Sequence, residues 1–297
     1  MQNKKIGFIG LGTMGHGMVQ NLLKNNFFVN GYNRTKSKAQ GIKDKNFRIF
    51  DTPSQAAEES DAIITCVSSD DALNEVLFSK SGIFDSLNSS KVLVDCSTTS
   101  VELTEKIAKE CEKRNINFLD APITGSKLGA EGGALLFMVG GDKKVLDGLM
   151  KVFDAMGKRI VYCGKNTYGQ RAKIALNLTQ AVVLQGYLEG LMLGINNGVP
   201  LKAMLEILEN SGARTGVGSV KVPKILKRDF SPHFRLELMN KDVQFAMHET
   251  GKLGLNLPLS KELSKVFSKA MEKGLGKDDV SSLIKLIEEN SKVKLEE

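Results

Sequence analysis

Hydrophobic positions along the chain follow two rhythms. Up to about residue 164, short apolar runs alternate with stretches of helical periodicity. The runs predict strands at 5–9, 27–32, 47–50, 61–67, 91–95, 117–119, 134–139 and 159–162. The periodic stretches predict helices at 14–25, 53–58, 70–77, 100–114 and 142–156. Such alternation implies a mostly parallel sheet covered by helices on both faces. Beyond residue 164 strands are hard to find. One helical pattern runs without a proline from Gly169 to Asn196, rich in Ala, Leu, Ile and Val. A helix apolar nearly all round is expected to be buried. Further helices fit 200–210, 217–228, 239–253, 258–273 and 278–289. The expected architecture is α/β: a doubly wound, mostly parallel domain over 1–164, then an all-α domain over 165–297 with a long interdomain helix.

The first strand runs directly into glycines. Residues 6–15 read IGFIGLGTMG, with Gly10, Gly12 and Gly15 at G-x-G-x-x-G spacing between that strand and an amphipathic helix. This is the context of the Rossmann-type dinucleotide fingerprint. Gly10 allows a tight turn, Gly12 lets a pyrophosphate approach the backbone, and Gly15 lets helix and strand pack closely. With Leu11, Thr13 and Met14 they form a loop whose N–H groups, at the positive end of a helix, suit phosphate. The second strand ends in Asn33, Arg34 and Thr35 rather than in the carboxylate that binds the ribose of NAD. Arg34 suits bidentate pairing with a 2′-phosphate and Thr35 a hydrogen bond to it, so NADP is the expected cofactor, with NAD as the alternative. Ligands in such sheets sit at the carboxyl ends of strands. That rule adds the loop with Val67 and Ser68, the loop 95–98 with Thr98, and the segment 120–127.

Composition narrows the class. The chain has 297 residues, 41% hydrophobic and 25% charged, as expected for a globular protein of two domains. Its net charge of +7 is spread along the chain, aromatics are only 6% and Trp is absent. No basic block interleaved with aromatics offers a nucleic-acid platform. An anionic cofactor and a small carboxylate substrate explain the excess more simply. Cys66, Cys96, Cys111 and Cys163 have no C-x-x-C spacing and read as buried free thiols. Three scattered histidines exclude a histidine-rich metal cluster, so no metal is expected. Lys4 and Lys5 lead straight into a strand, and no signal peptide or long apolar span is evident. A cytoplasmic location without membrane attachment is expected.

The long helix carries the candidate chemistry. Lys173 and Asn177 lie four residues apart on one face, and Gln180 continues it. Such a polar stripe is expensive to bury without partners. A lysine there can protonate an alkoxide as hydride reaches a carbonyl carbon, without a metal.

These motifs resemble the β-hydroxyacid dehydrogenases. That family includes 3-hydroxyisobutyrate dehydrogenase, tartronate semialdehyde reductase and the glyoxylate/succinic semialdehyde reductases, with 6-phosphogluconate dehydrogenase as a larger relative. The likeness covers nearly the whole chain. GLGTMGHGMVQNLLK at 10–24 resembles the cofactor motif and DAPITGSKLGAEGGAL at 120–135 the substrate motif. GQRAKIALN at 169–177 resembles the catalytic motif and NKDVQFA at 240–246 the motif of a lysine that reaches over the cofactor. The resemblance implies interconversion of a short 3-hydroxy acid and its semialdehyde by hydride transfer. It makes Lys173 the general acid and base, and it places Thr124, Gly125, Ser126 and Asn177 on the substrate. Thr98 and Lys241 then lie beside the cofactor. The long helix suggests a homodimer or homotetramer. Departures keep the substrate at class level. Leu176 stands where many 3-hydroxyisobutyrate enzymes have a second asparagine, TGSK resembles the semialdehyde reductases, and FMVGG at 137–141 resembles the 3-hydroxyisobutyrate group. Two alternatives remain. A decarboxylating 6-phosphogluconate-type enzyme needs an acidic glutamate where Gln180 stands, and a non-catalytic cofactor-binding scaffold lacks the lysine present here as Lys173.

Overall fold

Six short runs of β-branched and aromatic residues make a parallel sheet. They are β1 (Lys5–Ile9), β2 (Phe28–Tyr32), β3 (Phe47–Ile49), β4 (Ala62–Thr65), β5 (Val92–Asp95) and β6 (Asn117–Asp120), in the order β3-β2-β1-β4-β5-β6. The sheet reverses at the continuation of β6. Both β6 and β7 (Ile123–Thr124) pair antiparallel with β8 (Leu135–Gly141), at Asp120 opposite Gly140 and Thr124 opposite Leu136. β9 (Gly157–Gly164) then pairs parallel with β8. The computed structural model describes residues 4–289, 291 and 293–296. It divides into two compact units, Met1–Lys173 and Ile174–Glu297.

Alternation along the strands builds a core on each face of the sheet. Ile64, Val94 and Leu119 contribute to one cluster, which the helices α1 (Thr13–Lys24) and, later in the chain, Lys143–Met156 also enter. Their neighbours Ile63, Leu93 and Phe118 point the other way. There they meet α2 (Pro53–Glu58), α3 (Asp70–Phe78) and α4 (Val101–Lys113). The helix Ser126–Glu131, α5, lies against α1. Asn21 donates to Ala130 O at 2.7 Å, and a Cβ on Gly17 would lie 2.7 Å from the Ala130 backbone. The Lys143–Met156 helix is α6. β7 and α5 occupy ground read from the sequence as a connection. A two-residue strand shows no period, and α5 starts at Gly125 and Ser126, whose φ angles are 139° and 57°, with no capping side chain.

α7 (Tyr168–Asn196) begins in the first unit, and the division falls inside it after Lys173. The change of rhythm placed the boundary at 164. The second unit adds α8 (Leu201–Glu209), α9 (Gly216–Leu226), α10 (Leu236–Lys252), α11 (Pro258–Glu272) and α12 (Ile284–Glu288). The helix expected at 278–289 is a 3₁₀ turn, Val280–Leu283, followed by α12. Ala181, Leu184, Leu188, Leu191 and Met192 of α7 share a core with Ile225, Val243, Phe267 and Ile284. The expectation that α7 is buried all round is corrected. Ala175, Thr179, Gly186, Glu189, Gly190 and Leu193 are exposed along one stripe, with Leu193 at 66%. The stripe mixes small residues with the polar Thr179 and Glu189 and the larger Leu193. The expectation of no long apolar span is also corrected, since α7 is long and apolar enough to cross a membrane by length and composition.

Candidate active site

Six strand ends supply the candidate site of the first unit. The turn after β1 is shaped by space. Gly10 has φ 107°, and a Cβ there would lie 2.2 Å from Cys66 O, while one on Gly15 would lie 1.9 Å from Gly10 O. Gly12 differs: a Cβ there meets nothing within 4 Å. The surface above Gly12 is therefore open backbone, at the N-cap of α1, with no capping side chain and no acid in the first turn. Among the described residues this is the arrangement that fits a pyrophosphate. Thr13 and Met14 open the helix, exposed and half-buried respectively.

The end of β2 braces this loop. Asn33 Oδ1 accepts from Leu11 N at 2.8 Å, and Asn33 Nδ2 donates to Thr35 O at 2.9 Å. Asn33 thus holds the loop in shape, and the Leu11 N–H is already satisfied. Arg34 is 79% exposed in its side chain and lies 3.8 Å from the exposed Glu75, a weak pairing that leaves the guanidinium available. Thr35 is exposed beside it, and Lys36 is paired with Asp51.

The ends of β4, β5 and β6 form a buried polar network. Thr65 Oγ1 donates to Asp95 Oδ1 at 2.7 Å, Ser97 N donates to the same oxygen at 3.1 Å, and Ser97 Oγ accepts from Val67 N at 3.0 Å. Ser68 is exposed and Thr98 half-buried above this layer. Burial pushes the Asp95 carboxyl above its ordinary range, against the hydrogen bonds from Ser97 and Thr65. Burial likewise pushes the Cys66 thiol to about 12 and Cys96 well up, so neither is a thiolate near neutrality.

Asp120 is the residue that the motif reading left without a role. It is fully buried, and its carboxylate accepts from Thr167 N at 2.8 Å and from Gln170 N at 3.0 Å, capping the first turn of α7 from β6. Burial pushes this carboxyl up to about 6, partly offset by those two N–H groups. Gly169 makes the approach feasible, since a Cβ there would lie 2.4 Å from Met138 O and 2.5 Å from Asp120 O. Gln170 is also fully buried and reaches the β5 loop, with Nε2 donating to Ser97 O at 2.7 Å. Its position three residues before Lys173 was the available signal, one step back along the same helical face.

Lys173 itself is buried at 7% exposure. Thr124 is half-buried, and Gly125 and Ser126 are exposed in the positive-φ turn after β7. In the second unit, Asn177 is 1% exposed and Asn177 Nδ2 donates to Asp242 Oδ2 at 2.5 Å. Lys241 Nζ lies 2.8 Å from Asp242 Oδ1 and 4.6 Å from the Phe245 ring centre. The structure thus ties the ends of β5 and β6 to the first turn of α7, which leads into Lys173, in the first unit. It gathers Asn177, Lys241 and Asp242 in the second.

Residues 5–164 match the family model described as the NAD binding domain of 6-phosphogluconate dehydrogenase. Residues 167–287 match that described as NAD-binding of NADP-dependent 3-hydroxyisobutyrate dehydrogenase. The chain belongs to the β-hydroxyacid dehydrogenase family. This β-hydroxyacid dehydrogenase is 37% identical over 257 residues to the probable mitochondrial 3-hydroxyisobutyrate dehydrogenase-like 1 of Arabidopsis thaliana, covering 86% of this chain and 77% of that one. It is 30% identical over 283 residues to glyoxylate/succinic semialdehyde reductase 1 of the same plant, covering 95% and 98%. A solved 3-hydroxyisobutyrate dehydrogenase of Mycobacterium tuberculosis, with L-serine, superposes with a TM-score of 0.84 at 25% identity, covering 96% and 99%. The activity follows at the level of the family: NAD(P)-dependent oxidoreduction between a hydroxy acid and its semialdehyde.

Proposed function

We propose that this β-hydroxyacid dehydrogenase uses NADPH in preference to NADH to interconvert a short semialdehyde and its 3-hydroxy acid, with Lys173 as the general acid and base. One observation carries the reading. Lys173 is buried on the polar face of α7, directly after a first turn that Asp120 and Gln170 tie to the ends of β5 and β6. A buried amine held there suits proton transfer more than solvation.

The strand-end loops would hold the dinucleotide, and its nicotinamide would supply the hydride acceptor or donor. In reduction, Lys173 gives a proton to the former carbonyl oxygen, and in oxidation it takes that proton back. The Thr124–Ser126 turn holds the substrate carboxylate with its hydroxyls and N–H groups. Asn177 fixes a substrate oxygen, its own rotamer set by Asp242. Lys241, held by the same carboxylate, is the lysine that the family resemblance assigns to the cofactor, where it would add a positive charge. Val67, Ser68 and Thr98, after the ends of β4 and β5, would border the nicotinamide. Positioning of this kind supplies much of the rate. The NADP preference rests on Arg34 and Thr35, both exposed at the end of β2 with no carboxylate at that position.

The exposed stripe of α7, with Ala175, Gly186, Gly190 and a 66% exposed Leu193, supports a homodimer or homotetramer built on that helix. The four cysteines are free thiols, the state a reducing compartment maintains, and among such compartments we propose the cytoplasm. The test is an initial-rate panel of succinic, methylmalonate and tartronate semialdehydes and glyoxylate with both cofactors, run for wild type and Lys173→Ala. We expect Lys173→Ala to lower kcat by about 10²–10⁴-fold while fluorescence titration shows NADPH still bound, because the phosphate and ribose contacts lie elsewhere. Lys173→Arg rescues little, since a guanidinium does not release its proton. Near-wild-type turnover of Lys173→Ala removes the lysine from the mechanism.

A further inference from the structure

Both ends of one buried carboxamide are in use beside the proposed catalytic lysine. Gln170 Nε2 donates to Ser97 O at 2.7 Å, and Gln170 Oε1 accepts from Thr99 N at 3.4 Å. The two partners flank Thr98. The same residue's backbone N–H is held by Asp120 Oδ2 at 3.0 Å. Ser97 in turn accepts from Val67 N through its hydroxyl and donates to Asp95 through its N–H. Val67, Thr98 and the start of α7 therefore hang on one hydrogen-bonded network that crosses the ends of β4, β5 and β6. A carboxamide suits this place because it is a donor at one end and an acceptor at the other. A carboxylate lacks the donor, and an alkyl chain lacks both.

We propose that Gln170 is a positioning residue for hydride transfer, holding the Thr98 loop in register with the first turn of α7 and so with Lys173. This rests on the proposed role of Lys173 and on the placement of Thr98 beside the nicotinamide. Gln170 itself touches neither substrate nor cofactor in this scheme. It acts through the loop and through the helix.

The test compares wild type, Gln170→Leu, Gln170→Glu and Lys173→Ala as full chains. Hydrogen exchange over residues 97–99 and 167–173 is read first and needs no substrate. Gln170→Leu is expected to speed exchange in both segments while far-UV circular dichroism stays that of wild type. Unchanged exchange over 97–99 overturns the proposal. With succinic semialdehyde and 4-deuterated NADPH, Gln170→Leu is expected to lose about 10- to 100-fold in kcat, the scale of a misplacement of about 1 Å. The hydride isotope effect is expected to grow, NADPH affinity to stay within about twofold, and Gln170→Glu to fall between wild type and Gln170→Leu. A kcat near wild type for Gln170→Leu, beside a collapsed Lys173→Ala, overturns the positioning role and leaves the lysine assignment standing. Near-wild-type turnover of Lys173→Ala refutes the lysine assignment instead, while the exchange result still reports on the clamp. Lost NADPH affinity in Gln170→Leu makes the residue a cofactor contact and also overturns the proposal. If Gln170→Leu does not fold, Gln170→Glu carries the same comparisons.

Discussion

Replacing Asp120 by Asn should change how stability depends on pH. Asp120 is fully buried and holds two backbone N–H groups of α7 at 2.8 and 3.0 Å. Burial raises its carboxyl from 3.8 to about 6 in spite of those bonds. The native state therefore binds this proton more tightly than the unfolded chain. Above about pH 6 both states are ionised, and the penalty of burying the charge is fully present. As pH falls from about 6 to about 4, the native state takes up the proton first and gains stability. A shift of roughly 2 units corresponds to about 3 kcal/mol. Asp120→Asn has no such titration. Urea unfolding of both proteins between pH 4 and 8 should show the wild type gaining about 2 kcal/mol on the variant as pH falls through that window, most of the full difference. Titration of the Asp120 carboxyl by ¹³C NMR reads the same quantity directly. A constant difference between the two proteins, or a carboxyl titrating near its ordinary value, would refute the burial argument.

Three further expectations test other parts of the structure. Arg34→Asp should reduce the ratio of kcat/KM for NADPH over NADH by about 10- to 100-fold, the loss of a charged hydrogen-bonding pair of roughly 1.5–3 kcal/mol, and a wild type that favours NADH removes the 2′-phosphate reading. Thr124→Ala and Ser126→Ala should raise KM for the acid substrate more than they change NADPH affinity, whereas equal wild-type turnover of the substrate amide means that the turn binds no carboxylate. Lys91→Met should destabilise the first unit by about 2–4 kcal/mol, because the buried Lys91 ammonium donates to Ala57 O, Glu58 O and Ser60 O at 2.8, 2.6 and 2.7 Å and its loss removes all three bonds, leaving Ala57 O only its backbone donor Ser60 N; an unchanged unfolding midpoint excludes that role.

The strands and most helices were legible because burial imposes a period on the residues themselves. Ile63 and Ile64 point to opposite faces because successive side chains alternate along a strand, and the same rule reads from the sequence alone. The glycine loop was legible because spacing and flanking elements define it. The Lys173–Asn177 stripe was legible because four residues make one helical turn. The role of Asp120 was not legible. It lies in a motif but its partners, Thr167 and Gln170, are 47 and 50 residues away, and no local pattern reports a cap supplied from another strand. The same holds for Gln170, whose partners Ser97 and Thr99 precede it by 73 and 71 residues. β7 and α5 were missed because two residues have no period and six begin on a positive-φ turn. The sequence by itself determined the α/β order, the nucleotide turn and the helical face that bears the lysine, since each is written in local spacing. Only the tertiary structure decided which buried polar groups hold that helix to the strand ends and that α7 keeps one face exposed, because hydrogen-bond partners and burial depend on what chain folding brings alongside.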